Sequence, residues 1–358
     1  MVISKLSSIY LRLNNINLFK ILMKNQTLVI ILILLTLNLF SQEKKPAIKL
    51  GGKAIVRVFA NYHTNFGGNE HENAVDEMQI SRAYLGYKAN LSESFAVKLL
   101  MDVGADEGKY SAYLKTAALT YKKGHLYANI GMIATKQFKV QEKFWGYRYL
   151  LKSFQDEYHF NGSADLGMSI DYKINKILSF DAIVTNGEGY KHIESTKTYR
   201  GGLGTTVNFK PIIFRVYYDI SAKPYINRQN IAGFVGYKFK KKFRIAAEYN
   251  YQLNNDFFED YNMFGYSAYA TFILNKKWEF FARYDKLQSN VMDDFTMDMR
   301  RFPLDPWNIH HDEQVVISGL QYKPIAQVKI SLNYRYTLSA EHSAKGVNWM
   351  FVNFEYKL

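Results

Sequence analysis

The sequence predicts an all-β protein: a transmembrane, antiparallel up-and-down β-barrel of about 16 strands. Three observations predict it. Apolar and polar residues alternate with period two along most of the chain. The alternating runs are about 8–14 residues long, the length a tilted membrane strand needs. The segments between them are short and long in turn.

The alternation is plain at several places. Leu178, Phe180, Ala182 and Val184 share one face of a run whose other face carries Ser179, Asp181 and Thr185. Val328, Ile330, Leu332, Tyr334 and Tyr336 alternate with Lys329, Ser331, Asn333, Arg335 and Thr337. Trp278, Phe280, Ala282 and Tyr284 alternate with Glu279, Phe281, Arg283 and Asp285. Sixteen such runs are expected, at 48–62, 78–90, 95–104, 112–121, 126–133, 163–173, 178–186, 199–208, 213–222, 230–239, 243–252, 262–273, 277–288, 314–322, 327–337 and 347–357. From Ile48 to Leu358 no stretch reads better as an amphipathic helix.

The connections carry the second signal. Short ones hold turn residues and lysines: residues 90–94, 122–125, 173–176, 210–211, 239–242, 275–277 and 323–326. Between them lie longer polar or Gly-rich segments: 63–77, 105–111, 134–162, 187–198, 223–229, 253–261, 289–313 and 338–346. Tight turns at one rim and long loops at the other are the pattern of an outer-membrane barrel, with both ends of the chain on the short-turn, periplasmic side.

Composition supports the same class. The chain of 358 residues has 28 Tyr and 25 Phe, and these residues favour strands and membrane–water interfaces. Mean hydropathy is −0.24, so no bundle of transmembrane helices is hidden in it. Cysteine is absent, which excludes disulfides, thiolate metal sites, a cysteine nucleophile and a lipidated cysteine. A soluble sandwich also alternates, but sixteen strands closed in one ring leave a water-filled lumen for the polar face. The apolar face then meets lipid. The last run puts Met350, Val352, Phe354, Tyr356 and Leu358 on one face, similar to the outer-membrane assembly signal.

The one long apolar run is Leu28 to Leu37, extending to Phe40. It is too short to span a bilayer and follows Met23-Lys24, as in a secretory leader. Residues 23–41 are therefore expected to be a signal peptide cut after Ser41, residues 1–22 an over-extended N-terminus, and residues 42–358 a barrel with no plug domain. Removing residues 1–41 takes away Lys5, Arg12, Lys20 and Lys24 and no acidic residue, so the net charge falls from +14 to +10. A basic secreted protein can meet anionic lipid, lipopolysaccharide, nucleic acid or small anions. In a membrane barrel, lipid and lipopolysaccharide are the expected surroundings, and nucleic acid is not an expected partner.

Polar-face residues are the candidate lumen wall: Arg57, Arg82, Lys98, Arg200, Arg215, Arg244, Arg283 and Arg335, with Lys88, Lys238 and Lys329. Rings of Arg and Lys concentrate anions. Acidic residues such as Asp102, Asp181, Asp219, Glu279 and Asp285 share those faces, and cross-strand pairing would neutralise part of the charge. Loop 134–162 is long, aromatic and basic. Phe138, Phe144, Trp145 and Tyr149 can anchor it against the wall. Lys136, Lys139, Lys143, Arg148 and Lys152 would then face a constricted channel.

Other motifs carry little chemistry. His310-His311-Asp312-Glu313 contains ligand types, but neighbours on an extended chain point apart, so no metal site is expected. Asn186-Gly187-Glu188-Gly189 and Gly201-Gly202-Leu203-Gly204 lack the strand–turn–helix setting of a phosphate loop. No cofactor is expected.

Four segments carry a family likeness: Phe144-Trp145-Gly146-Tyr147-Arg148, Ser163-Ala164-Asp165-Leu166-Gly167, Asn186-Gly187-Glu188-Gly189-Tyr190 and Phe281-Ala282-Arg283-Tyr284-Asp285-Lys286-Leu287. The chain resembles a bacterial outer-membrane porin group of Bacteroidetes-type bacteria, similar to the phosphate-selective porin O/P family. The resemblance implies a 16-stranded homotrimeric barrel whose pore is lined by arginines and lysines. The expected function is passive diffusion of small hydrophilic solutes, with anions favoured and no catalysis. The alternatives are a barrel enzyme of lipase or protease type and a non-conducting structural barrel.

Overall fold

A strand with one face toward water and one toward lipid must alternate its side chains without a slip. In the strand Phe243–Leu253, Arg244, Ala246, Glu248, Asn250 and Gln252 point to one side, and Ile245, Ala247 and Tyr249 are exposed on the other. The computed structural model describes residues 51–66, 76–106, 108–193, 195, 198–240, 242–290, 313–339 and 346–358. The expected leader, the start of the first predicted run, and His310-His311-Asp312 lie outside the described residues.

The strands follow in order: β1 (Gly52–Phe66), β2 (Asp76–Asn90), β3 (Phe95–Asp106), β4 (Lys109–Lys123), β5 (Leu126–Ala134), β6 (Ala164–Lys173), β7 (Leu178–Thr185), β8 (Tyr199–Phe209), β9 (Ile212–Ala222), β10 (Asn227–Phe239), β11 (Phe243–Leu253), β12 (Met263–Ile273), β13 (Trp278–Ser289), β14 (Glu313–Ile325), β15 (Val328–Ser339) and β16 (Val347–Lys357). Each pairs antiparallel with the next, and β16 closes onto β1 with Asn61 opposite Asn353. Closure leaves no free edge strand, so each described strand is hydrogen-bonded to a neighbour on both sides.

Short turns are built from their own side chains. Asn175 Oδ1 accepts the N–H groups of Ile177 and Leu178, and Asn275 Oδ1 does the same for Lys277 and Trp278. Ser92 Oγ takes the N–H groups of Ser94 and Phe95. These Asx-type devices hold a two-strand reversal in few residues.

The outward face is apolar. Leu99, Ile130, Met168, Val184, Leu203, Ile231, Ile245 and Leu332 are all exposed. Tyr87, Tyr172, Phe209, Trp278 and Tyr356 sit at strand ends beside the short turns and are exposed too. An apolar belt edged by aromatics is the surface a bilayer stabilises.

The inward face is different. Three register shifts interrupt the described ladders, between Phe59 and Ala60, between Leu100 and Met101, and between Tyr322 and Ile325. The expectation of no helix is overturned inside the long loop after β5. It holds α1 (Lys139–Trp145) and α2 (Phe154–Glu157). Each is too short to show a helical period against the surrounding pattern. Gly146 ends α1 at φ 79°, the left-handed position glycine adopts readily, and its N–H reaches the Glu142 carbonyl.

Candidate functional site

The loop between β5 and β6 turns into the ring. Its aromatics meet inward side chains of distant strands. Trp145 lies edge-on to Tyr269 at 5.3 Å and to Phe281 at 6.1 Å. Phe144 meets Phe234 at 5.4 Å, and Tyr149 meets Phe59 at 6.4 Å. One apolar cluster therefore joins Phe59, Tyr84 and Leu100 of β1–β3 to Phe234, Phe281 and Ile317 of β10–β14 through the loop. A second cluster packs Phe154, Tyr158 and Phe160 on Tyr261, Met263 and Leu287. Burying each large apolar side chain stabilises by about 1.5–3 kcal/mol, so the aromatics favour the inward position of the loop.

Glycines open the space for them. A Cβ on Gly236 would lie 2.5 Å from Phe144, and one on Gly265 would lie 2.4 Å from Phe154. Both glycines face inward, on β10 and β12.

The wall then ties the loop's polar groups. Tyr147 donates to Glu279 at 2.7 Å and Tyr149 to Gln321 at 3.0 Å. Gln155 donates to Asn250 at 2.6 Å, and Asn161 to Asp219 at 3.1 Å. Within the loop, Arg148 bonds both Glu142 and Asp156. Burial pushes the Asp156 carboxyl up, but the Arg148 guanidinium, helped by Lys152 and Lys115, outweighs it and holds the group well below the usual carboxylate range.

Solved structures share this architecture. OprB of Pseudomonas putida matches with a TM-score of 0.67 at 10% identity, over 86% of this chain and 94% of that one. OmpF of Salmonella typhi, in complex with daunomycin, matches with a TM-score of 0.63 at 11% identity, over 86% and 97%. The outer membrane channel DcaP of Acinetobacter baumannii matches with a TM-score of 0.59 at 11% identity, over 88% and 99%. The fold is that of an outer-membrane porin-like barrel. No family model and no curated protein sequence matches the chain.

In this porin-like barrel every sequence-predicted wall residue has inward register, but most are paired. Arg57 bonds Glu355 at 2.6 Å, and Arg82 lies 3.4 Å from Asp102. Arg200 bonds Asp219 at 2.8 Å, Arg215 grips both oxygens of Asp181, and Arg283 bonds Asp285 at 2.6 Å. Arg244 and Arg335 reach loop carbonyls, at Trp145 and Leu150. Lys98 is exposed and without a carboxylate partner among the described residues.

The five loop cations divide in the same way. Lys136 bonds Asp171 at 2.5 Å, Arg148 is turned onto Glu142 and Asp156, and Lys152 lies 4.0 Å from Glu157. Lys139 and Lys143 have no carboxylate partner among the described residues. Lys139 lies 5.5 Å from the ring centre of Phe138, and the wall residue Lys238 lies 4.8 Å from that of Phe144.

Sequence reasoning missed one inward cluster of the barrel. Lys115 bonds Asp102 at 2.7 Å and reaches the Tyr190 hydroxyl at 3.2 Å, while Tyr190 donates to Asp102 at 2.7 Å. Tyr190 comes from the connection after β7, so a second loop also reaches inward. The shift at Leu100/Met101 changes the phase of β4, and nothing in the alternation marks that residue as a bulge. The inward Phe281, among Glu279, Arg283 and Asp285, was a legible hint of a packing partner.

Proposed function

We propose that the protein is a porin of the bacterial outer membrane that passes small hydrophilic solutes by passive diffusion and favours small anions. The observation that carries this reading is the division of the cations. Wall arginines are neutralised or engaged, whereas Lys98, Lys88 and Lys238 on the wall and Lys139 and Lys143 on the loop have no carboxylate partner among the described residues. Ammonium groups that no carboxylate neutralises raise the local concentration of anions in a pore. A trimer in lipid and lipopolysaccharide belongs to the same proposal, as does export by a leader over residues 23–41 with translation from Met23. OmpT of Vibrio cholerae, which matches with a TM-score of 0.53 at 13% identity over 86% of this chain and all of that one, is described in a trimer form.

The test is reconstitution in planar bilayers. Stepwise conductance and an anion-selective reversal potential under a salt gradient are expected. A cation-selective potential sinks the preference, and a folded, heat-modifiable barrel without steps sinks the channel. The apolar cluster that spans from β1–β3 to β10–β14 favours one second reading, a barrel closed by its loop. That reading expects no steps at all.

A further inference from the structure

We infer that Arg215, Arg244, Arg283 and Arg335 are positioning residues: they hold the inserted loop by its backbone carbonyls and so fix the width of the passage, and they are not binding sites for a permeating anion. The inference rests on the porin reading above. The four residues stand on alternate strands, β9, β11, β13 and β15. Arg215 donates to the Lys136 carbonyl at 3.0 Å and Arg244 to that of Trp145 at 3.2 Å. Arg283 donates to the Lys152 carbonyl at 2.6 Å and Arg335 to that of Leu150 at 2.7 Å.

The need for them follows from the loop. Its two helices cover seven and four residues, so most of its carbonyls have no helical partner. The loop is buried, and a buried carbonyl without a donor is destabilising. Arginine answers this better than lysine. Its planar fork has five donors, enough for a wall acceptor and a loop carbonyl together. Arg215 holds Asp181 with two nitrogens and still reaches Lys136. Arg283 grips Asp285 with two nitrogens and gives the third to Lys152. Arg335 gives Nε to Asn333 and another nitrogen to Leu150.

Neutral residues do the same work nearby. Gln252 donates to the Phe160 carbonyl at 2.6 Å, and Tyr269 to the Gln141 carbonyl at 3.4 Å. What these wall positions share is a donor aimed at loop backbone, and positive charge is dispensable for that. Arg215, Arg283 and Arg335 are also almost fully buried, which leaves little surface for a passing ion.

The experiment separates donor geometry from charge in the full chain. Arg283→Lys with Arg335→Lys keeps both charges and loses both forks. In planar bilayers it is expected to raise open-channel noise and unitary conductance while leaving the reversal potential unchanged. Arg335→Gln removes the charge and keeps a donor, and it is expected to retain the quiet wild-type conductance and potential. Wild-type noise in the double lysine variant, or a potential moved toward cations by Arg335→Gln, would overturn the inference. Hydrogen exchange on the unaltered protein guards against a variant that fails to fold. Slow exchange of amides 139–152 is expected, and exchange at free-loop rates would overturn it. That measurement needs no current, so a barrel that never conducts sinks the channel reading separately.

Discussion

Tyr147 of the inserted loop donates its hydroxyl to Glu279 of β13, 2.7 Å away and 132 positions along the chain. Glu279 also accepts from Gln321 on β14 at 2.9 Å and bonds Lys323. One carboxylate thus ties the loop to two neighbouring strands. Burial pushes the Tyr147 phenol up; Arg244 opposes this, and Glu279 adds to it, so the phenol stays a donor far into alkaline pH. Tyr147→Phe removes the donor and leaves Glu279 with its strand partners. We expect a loss of about 1.5–3 kcal/mol in loop docking, the range for a hydrogen bond to a charged group. Hydrogen exchange of loop amides reads it directly; unchanged protection in the folded variant would count against the tie.

The Arg148–Asp156 pair predicts a pH dependence. The folded-state pKa of Asp156 lies below its unfolded value, with burial outweighed by the Arg148 charge. Its contribution is therefore complete above the ordinary aspartate value of about 3.9 and is lost as pH falls through the depressed folded value. Loop protection and channel noise should be flat from neutral pH to about pH 4 and change only in stronger acid. Asp156→Asn should loosen the loop at neutral pH and remove that acid step. A transition centred near neutral pH in the unaltered protein would contradict the assignment.

Packing gives a prediction of the opposite kind. Gly236 faces the ring of Phe144, and a side chain there has no room. Gly236→Val should displace α1 at a cost of about 1–3 kcal/mol, as overpacked cores do. The barrel itself should fold, because its ladder is untouched. Increased cleavage between residues 139 and 152 by added protease is the readout. Resistance equal to the unaltered protein would show that the loop does not rest on that face.

How far the sequence carries the reading differs between wall and lumen. Each expected run falls on an observed strand, because a lipid-facing side chain every second residue leaves a period of two along the whole run. The run 347–357 matches β16 at both ends, whereas the run 314–322 continues to Ile325, past the register shift after Tyr322. Inward residues carry no such rule. Phe281, Arg283 and Asp285 occupy one face, yet one packs a tryptophan, one holds a loop carbonyl and one neutralises the second. Their roles depend on which loop segment arrives, and that contact spans more than a hundred positions. Lys139 and Lys143 were legible as loop cations, while their lack of a carboxylate partner among the described residues, with Glu142 turned to Arg148, was not.

Those lysines predict a graded loss of selectivity. Lys98→Gln and Lys139→Gln should each bring the reversal potential toward zero, and the double variant should bring it further. Raising salt to 1 M should erase most of the difference, because the screening length falls from about 10 Å at 0.1 M to about 3 Å. Equal potentials in all variants at low salt would remove these residues from the selectivity of the pore.

The outward face predicts a dependence on depth. Leu332 lies near the middle of β15 and is 54% exposed toward lipid. Ile325 is similarly exposed at the end of β14, beside a short turn. Arginine in the hydrocarbon midplane destabilises a barrel by about 2–4 kcal/mol, but near the interface by only about 0–1. Leu332→Arg should therefore fold into vesicles far less favourably than Ile325→Arg, while the two behave alike in detergent. Reversible folding into vesicles, followed by heat-modifiable gel mobility, measures both. Equal losses at the two positions would mean that the belt around Leu332 does not meet lipid.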